Sequence, residues 1–220
     1  MEPKEIRAEE RKQESAQRRE KMVSAAYDCF CNQGIERTTI ADIAGAAGFG
    51  EATLYRYFST KENLALECGI RFWKKVWQFL QERTETEGYS EKSGMEQVEA
   101  LAAGALEFYR QEQESFRLIY ELDTFLMPTM AENEYFLAYG QAVDSPRQFL
   151  WTALEKGKAD GSIRRKEEIQ ELYYALANGI FGMMQKQAAA GNLLATDRTV
   201  EPMKKTELMI ALIIAGLRYQ

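Results

Sequence analysis

Apolar side chains recur every three or four positions along most of the 220-residue chain, and no stretch alternates apolar and polar residues for long. A period of 3.6 residues places such positions on one face of an α-helix, whereas a half-buried strand needs a period of two. Leu, Ala, Met, Glu, Lys and Gln, which tolerate helices well, are abundant. The pattern predicts an all-α fold of about nine helices.

The first helix is predicted over residues 6–33, polar in its first half and apolar on one face from Met22 onward. Gly34 follows it as a residue that adopts positive φ without strain. Two short helices are expected next, at 40–47 and 51–58. The "GFG" sequence between them favours a tight turn, so the pattern indicates a helix-turn-helix.

The start of the first short helix has a capping-box spacing, with Asp42 three residues after Thr39. In the second, Leu54 and Phe58 lie four apart and form the inward face. Its outward face is Glu51, Ala52, Thr53, Tyr55, Arg56 and Tyr57. Hydroxyl groups and an arginine suit a DNA groove, where they reach phosphates and base edges. Small three-helix units also occur in many proteins without this role.

Later helices are predicted at 61–83, 94–112, 114–127, 131–157 (broken or bent near Pro146), 166–190 and 203–219. The segment from 203 is apolar almost all round, and small residues alternate with large ones in the helix before it. Such helices must be covered. They either form a four-helix interface with a second copy of the chain or lie inside the core of one copy.

Composition narrows the function classes. The chain has no histidine, which removes the Ser-His and Cys-His nucleophile systems and the commonest metal ligand. Its three cysteines have no metal-ligand spacing and suit a reducing compartment. Neither a signal peptide nor a membrane span is expected. Carboxylates or lysine could still support an enzyme, but we expect a cytoplasmic protein that is not an enzyme, with no catalytic residues, metal or cofactor.

The net charge of −6 would repel nucleic acid, but it is unevenly distributed. Residues 1–65 carry 10 Lys and Arg against 11 Asp and Glu, whereas residues 66–220 carry 18 against 23. The first part is near neutral and can present a local basic face.

Residues 25–64 resemble the TetR family of bacterial transcriptional regulators. The matching features are Phe30, Gly34, Thr38-Thr39, Ile43-Ala44, Ala47-Gly48-Phe49, Thr53-Leu54-Tyr55, Tyr57-Phe58 and Lys61-Glu62-Asn63-Leu64. The resemblance implies a homodimeric, all-helical repressor that binds a pseudo-palindromic DNA operator. It also implies a DNA-binding domain at 1–64, including an N-terminal arm, and an effector-binding and dimerisation domain at 65–220.

The resemblance also implies the DNA-binding residues. Thr39 and Lys61 should each bond a phosphate, and Tyr57 should touch the backbone. Thr53, Tyr55 and Arg56 should enter the major groove, and Ala52 is a further candidate DNA-binding residue on the same outward face. Two positions depart from the common pattern: Gly50 replaces a capping serine, and Glu51 replaces a lysine. Arm residues Arg7, Arg11, Lys12, Arg18 and Arg19 either contact phosphates or belong to a solvated charged helix.

The second part of the chain is rich in aromatic residues, which either line an effector pocket or fill the core. The candidate pocket residues are Trp77, Tyr109, Phe116, Tyr120, Phe125 and Tyr173. Glu107, Glu121 and Asp123 lie among aromatics, and any that faced a cavity would suit a cationic lipophilic ligand.

The sequence predicts a repressor released from its operator by a small, largely apolar or aromatic molecule. The alternative is a helical small-molecule carrier or an adaptor with no DNA function. A carrier would bind ligand without salt-dependent DNA affinity.

Overall fold

A computed structural model describes residues 3–129, 132–190, 193 and 195–218, and all the secondary structure in these residues is helical. The helices are α1 (Pro3–Gln33), α2 (Ile40–Ala47), α3 (Glu51–Phe58), α4 (Lys61–Thr84), α5 (Gly94–Gln111), α6 (Gln113–Glu121), α7 (Glu134–Asp144), α8 (Arg147–Ala159), α9 (Ile169–Ala190) and α10 (Pro202–Ala215). The all-α prediction is confirmed. Within the described ranges, every helix is too short or too polar to cross a bilayer.

Two predicted helices have different bounds. The segment at 131–157 is divided into α7 and α8, because Pro146 has no N–H to continue a helical ladder. The helix expected at 114–127 ends as an α-helix at Glu121 and continues as a π-helical turn, Leu122–Leu126.

The chain forms two compact units, and each is discontinuous in sequence. Residues 1–71 and 121–139 form the N-terminal unit; residues 72–120 and 140–220 form the bundle unit. The division expected from sequence lies at residue 64 and stays a prediction; in the structure, residues 121–139 are grouped with the first unit.

Two contacts fix residues 121–139 within the N-terminal unit. The Ile35 N–H donates to the carboxylate of Glu121 over 2.7 Å, beside Gly34 with its φ of +86°. Tyr139 is 1% exposed, and its ring lies so close to Gly69 that a Cβ there would be 2.5 Å from the ring. Glycine at position 69 is required because any side chain would occupy the space of the tyrosine.

The core of the bundle unit is aromatic. The ring of Phe72 packs edge-on against Phe116, with centroids 5.2 Å apart, and Trp73 stacks on Phe181 at 5.0 Å. Elsewhere α5 approaches α8 so closely that a Cβ on Gly94 would lie 1.9 Å from the backbone nitrogen of Gly157. Such close packing between helices requires glycine at the point of contact.

Candidate DNA-binding surface and effector cavity

The N-terminus of α2 carries the capping box that the sequence predicted. The hydroxyl of Thr39 accepts from the Asp42 N–H over 3.1 Å, and the Asp42 carboxylate accepts from the Thr39 N–H over 2.8 Å. The hydroxyl also donates to this carboxylate over 2.6 Å. The hydroxyl bond, followed by the N–H bond, holds the pKa of Asp42 below its ordinary value. Thr39 must release Asp42 before its hydroxyl can donate to a phosphate.

The turn between α2 and α3 depends on a left-handed glycine. Gly48 has a φ of +72°, and the Phe49 N–H closes the turn by donating to the Ala44 carbonyl over 3.0 Å. Leu54 and Phe58 of α3 are each 1% exposed, so the predicted inward face is confirmed. Burial of each contributes about 1.5–3 kcal/mol. The remaining side chains of α3 are directed away from this core.

The outward face of α3 is available to a partner. Tyr55 is 49% exposed, and Glu51, Ala52 and Arg56 are also exposed. Thr53 is half-buried. The helix begins at Gly50 without a side-chain cap, as expected from the absence of a serine there. The structure thus brings the predicted groove-contacting residues together on one short helix.

Lys61 and Tyr57 make contacts within the protein that the sequence did not predict. The Lys61 ammonium donates to the carbonyls of Ile35 and Thr38, over 2.9 and 3.0 Å, and more distantly to Glu36 over 3.4 Å. The hydroxyl of half-buried Tyr57 lies 3.2 Å from that of Ser15. In this state Lys61 satisfies carbonyl groups between α1 and α2, and its predicted phosphate contact remains a prediction.

The arm differs between its two halves. Arg19 pairs with Glu67 at 2.7 Å and lies over the ring of Phe58, 5.2 Å from its centroid. The hydrogen bond to Glu67 raises the pKa of Arg19 above its ordinary value. Arg18 forms a looser pair with Glu14 at 3.8 Å. The remaining predicted arm cations are Arg7, Arg11 and Lys12, all exposed. Arg19 is therefore used in packing α1 against α4.

Residues 121–139 also contact the end of α3. The Tyr135 hydroxyl donates to the carbonyl of Tyr57 over 3.1 Å, and the Asn133 side chain donates to that of Asn63 over 3.0 Å. These residues hold the C-terminal end of α3 and the first turn of α4. No local sequence signal marks them, because they are distant in the chain from the helix they contact.

The bundle unit contains an apolar cavity of about 390 Å³. Its lining comes from α4, α5, α7, α8, α9 and α10 and includes Trp73, Leu101, Val143, Phe149, Tyr173 and Phe181. This volume lies within the range of small-molecule sites. Burial of Tyr173 raises the pKa of its phenol above the ordinary value.

The six candidate pocket residues have different positions. Tyr173 lines the cavity. Tyr109 and Phe116 are 2% and 0% exposed and pack against each other in the core, with centroids 5.1 Å apart. Trp77 is half-buried beside Phe149 of the cavity wall, at 6.1 Å. Two others are Tyr120, which is half-buried, and Phe125, whose side chain lies outside the described part of the structure.

None of the three acidic residues noted in the sequence lines this cavity. Glu107 pairs with Arg83, Glu121 accepts from Ile35, and Asp123 accepts from the Tyr139 hydroxyl over 2.6 Å. The geometry gives no support to a cationic ligand held by them. In the described ranges, no three His, Cys, Asp or Glu side chains form a group that could hold a metal ion.

One face of α10 exposes large apolar side chains. Leu208, Met209 and Leu212 are 57%, 45% and 59% exposed, and Tyr174 of α9 is 45% exposed. The opposite face of α10 is buried at Ile210 and Ile214. Apolar residues on both faces explain why this helix is apolar almost all round.

Comparison with known proteins agrees with this geometry. Residues 22–68 match the family of bacterial regulatory proteins of the tetR type. The HTH-type transcriptional repressor KstR2 of Mycolicibacterium smegmatis is 23% identical over 159 residues, which are 72% of this chain and 73% of that one.

Solved structures share the fold. The transcriptional regulator FadR from Bacillus subtilis, in complex with stearoyl-CoA, has a TM-score of 0.63 and 15% identity, over 89% of this chain and 97% of that one. The ketosteroid transcriptional regulator KstR2 of Mycobacterium tuberculosis has a TM-score of 0.63 and 18% identity, over 92% and 96%. The N-terminal residues 22–68 are thus similar to the tetR family of bacterial regulatory proteins, and the chain shares the all-helical fold of these solved regulators.

Proposed function

We propose that this protein is a homodimeric transcriptional repressor that binds a pseudo-palindromic operator through α3 and leaves it when a largely apolar effector enters the bundle cavity. The observation that carries the proposal is the outward face of α3. It presents Thr53, Tyr55 and Arg56 from a short helix whose other face is buried. In a helix-turn-helix, the second helix enters the major groove in this way.

A net negative charge does not oppose this function. Phosphate contacts depend on local cations, and Arg56 and the exposed arm residues Arg7, Arg11 and Lys12 supply them. A regulator that acts on a bacterial operator works in the cytoplasm, where the DNA is.

Relatives support an effector with a large apolar part. FadR was solved with stearoyl-CoA, and KstR2 of Mycobacterium tuberculosis is described as a ketosteroid regulator. An acyl chain and a steroid share an extended apolar body. The cavity in this chain is walled mainly by aliphatic and aromatic side chains, which favour the same kind of body through apolar burial.

The proposed link between effector and operator runs through two helices that contribute to both units. The first turns of α4, as far as Arg71, belong to the N-terminal unit, and Trp73, Val76 and Leu80 of the same helix line the cavity. In α7, Tyr135 bonds the end of α3, while Val143 lines the cavity. An effector that favours one arrangement of these helices shifts the population of operator-competent molecules.

For the homodimer we propose the exposed apolar face of α9 and α10 as the contact. Two copies of this face form an isologous interface, because a two-fold axis pairs the same surface on both subunits. The axis also presents two copies of α3 to half-sites separated by about one helical turn of DNA or a multiple of it.

Selection of bound sequences from a random DNA pool tests the proposal. We expect a pseudo-palindromic consensus and an affinity that falls steeply with salt. Replacement of Thr53, Tyr55 and Arg56 together by alanine should weaken operator binding at least about 100-fold, since each base contact is worth about 1–3 kcal/mol. Arg164→Ala, an exposed arginine of the bundle unit, is the control and should leave affinity unchanged.

Two results would contradict the proposal. One is that the triple variant retains DNA as the parent does. The other is that ligand binds but DNA affinity is absent or insensitive to salt, which is the behaviour of a carrier.

A further inference from the structure

The cavity is apolar but its rim is charged. Among the described lining residues, Asp144 at the end of α7 is the only one with a full charge. Its side chain is 65% exposed, so it lies at the opening. Arg147, the first residue of α8, lies next to it, with 3.5 Å between the Arg147 Nη1 and the Asp144 Oδ1. The polar end of an amphipathic ligand would therefore meet this pair.

Aromatic rings hold the guanidinium of Arg147 at the rim. Its Cζ lies 4.3 Å from the ring centroid of Trp151 and 5.6 Å from that of Tyr173, which lines the cavity. Trp151 is itself fixed, because its indole N–H donates to Glu155 over 2.9 Å. A cation stacked on two rings keeps its position better than a free arginine side chain does.

Arg147 has more hydrogen-bond donors than Asp144 uses. A guanidinium has five N–H donors, and the described residues offer Arg147 one hydrogen bond, to Asp144, at the long limit of such bonds. The Arg147 side chain is 34% exposed, so its other donors are accessible to solvent beside Asp144 and Tyr173, which line the cavity. A second anion can bind there while Asp144 stays in place.

The same geometry is less favourable for binding a cationic ligand. It would need Asp144, which already has a cationic neighbour at i+3. It would also need the ring faces of Trp151 and Tyr173, which Arg147 already occupies. The rim therefore favours an anion over a cation.

We propose that Arg147 binds the anionic end, a carboxylate or a phosphate, of a ligand whose apolar body lies in the cavity. Arg147 is then the residue that selects amphipathic anions over neutral and cationic molecules with the same apolar body. This inference depends on the proposed effector role of the cavity, and it adds the chemical class of the effector.

Three probes with the same ten-carbon chain test it: decanoate, decanol and decylammonium, each below the concentration at which it aggregates. Binding to the full-length protein is measured by tryptophan fluorescence and calorimetry. We expect decanoate to bind at least about tenfold more tightly than either of the others. Arg147→Gln should remove that preference by weakening decanoate alone, with decanol unchanged.

Two further variants control for folding and for general charge. Asp144→Asn keeps Arg147 and removes its competitor, so decanoate should bind as tightly as before or more tightly. Arg164→Gln removes one exposed positive charge elsewhere in the bundle unit and should change nothing.

The inference is overturned if decanol or decylammonium binds as tightly as decanoate, if none of the three binds, or if Arg147→Gln weakens all three equally. Operator selection with the ligand-free protein is a separate measurement. A failure there would refute the repressor function, and a failure of the probe series alone would refute only the role of Arg147.

Discussion

At the scale of single residues, two predicted DNA contacts are already engaged within the protein. The Thr39 hydroxyl donates to Asp42, and the Lys61 ammonium donates to carbonyls that follow α1. Both side chains have a structural role in the free protein and a proposed role on DNA. Substitution at either position therefore changes folding stability as well as affinity, and the two effects must be measured separately.

The first prediction concerns pH. The pKa of Asp42 is lowered by its bonds to Thr39, so the ionised carboxylate stabilises the folded state above its ordinary pKa of 3.8. This contribution is lost as the pH falls through the lowered value. The difference in thermal midpoint between the parent and Asp42→Asn should be largest at neutral pH and should shrink toward pH 3. Glu36→Gln, at an exposed position, is the control; a difference independent of pH would contradict the prediction.

The second prediction concerns Lys61. Its replacement by methionine leaves the carbonyls of Ile35 and Thr38 without their donor, so we expect the free energy of unfolding to fall by about 1–3 kcal/mol in urea titrations. If Lys61 also meets a phosphate, the slope of log affinity against log salt should decrease by about one. Lys74→Met, on an exposed position of α4, should change neither quantity. Unchanged stability in Lys61→Met would refute the structural role.

At the scale of elements, α3 is a short helix that is fixed at one end and uncapped at the other. Its C-terminal carbonyl at Tyr57 accepts from Tyr135, and its buried side holds Leu54 and Phe58. Its N-terminus at Gly50 lacks a side-chain bond. The start of α3 is consequently the part that can be stabilised without disturbing existing contacts.

The third prediction uses the two glycines that flank Phe49. Gly50 has an extended backbone with a φ of −79°, and a Cβ there meets nothing within 4 Å. We expect Gly50→Ser to raise the free energy of unfolding by about 0.5–1 kcal/mol, since it adds a cap and removes glycine freedom from the unfolded chain. Gly48→Ser is the matched control. It should destabilise by about 1 kcal/mol or more, because its φ is +72°. Equal effects in thermal denaturation would refute this explanation.

The short-range features of the fold were predictable, and the long-range ones were not. Thr39 with Asp42 forms the expected cap and Gly34 the expected turn, because these contacts involve residues within a few positions of each other. Lys61 and Tyr135 reach partners 26 and 78 residues away, and no periodicity encodes such distances.

The candidate pocket residues illustrate the same limit. Aromatic side chains at helical spacing identify a covered helix face but not what covers it. Phe116 is buried among other aromatic rings, whereas Tyr173 lines the cavity. Both residues lie in helical segments with the same spacing of apolar side chains, so the sequence does not distinguish them. The sequence did not predict Arg147 as a site residue, because its position beside Tyr173 depends on how α8 packs against α9.

At the scale of the whole molecule, the proposed dimer depends on the exposed apolar row of α10. Leu208, Met209 and Leu212 occupy one side of a helix whose other side is already buried. In the proposed dimer these residues contact a second copy, which would present a second α3 to the other half-site.

The fourth prediction compares two leucines of equal exposure. Leu212 of α10 is 59% exposed, and Leu137 of α7 is 60% exposed. A charge in an isologous apolar contact is buried twice, so Leu212→Glu should convert the dimer to a monomer in analytical ultracentrifugation and weaken operator binding at least about 100-fold. Leu137→Glu should leave both unchanged. A Leu212→Glu protein that stays dimeric would place the interface elsewhere.

The packing of Tyr139 against Gly69 determines how the N-terminal unit can be joined to another protein's bundle. The Tyr139 ring occupies the space beside Gly69, and the Glu121 carboxylate accepts from the Ile35 N–H, yet both residues come from beyond position 120. A hybrid in which residues 1–71 were grafted onto a foreign effector bundle would inherit an empty hollow and an orphaned amide. Transferring this N-terminal unit intact therefore requires moving residues 121–139 together with residues 1–71, so the hybrid needs two sets of junctions rather than one.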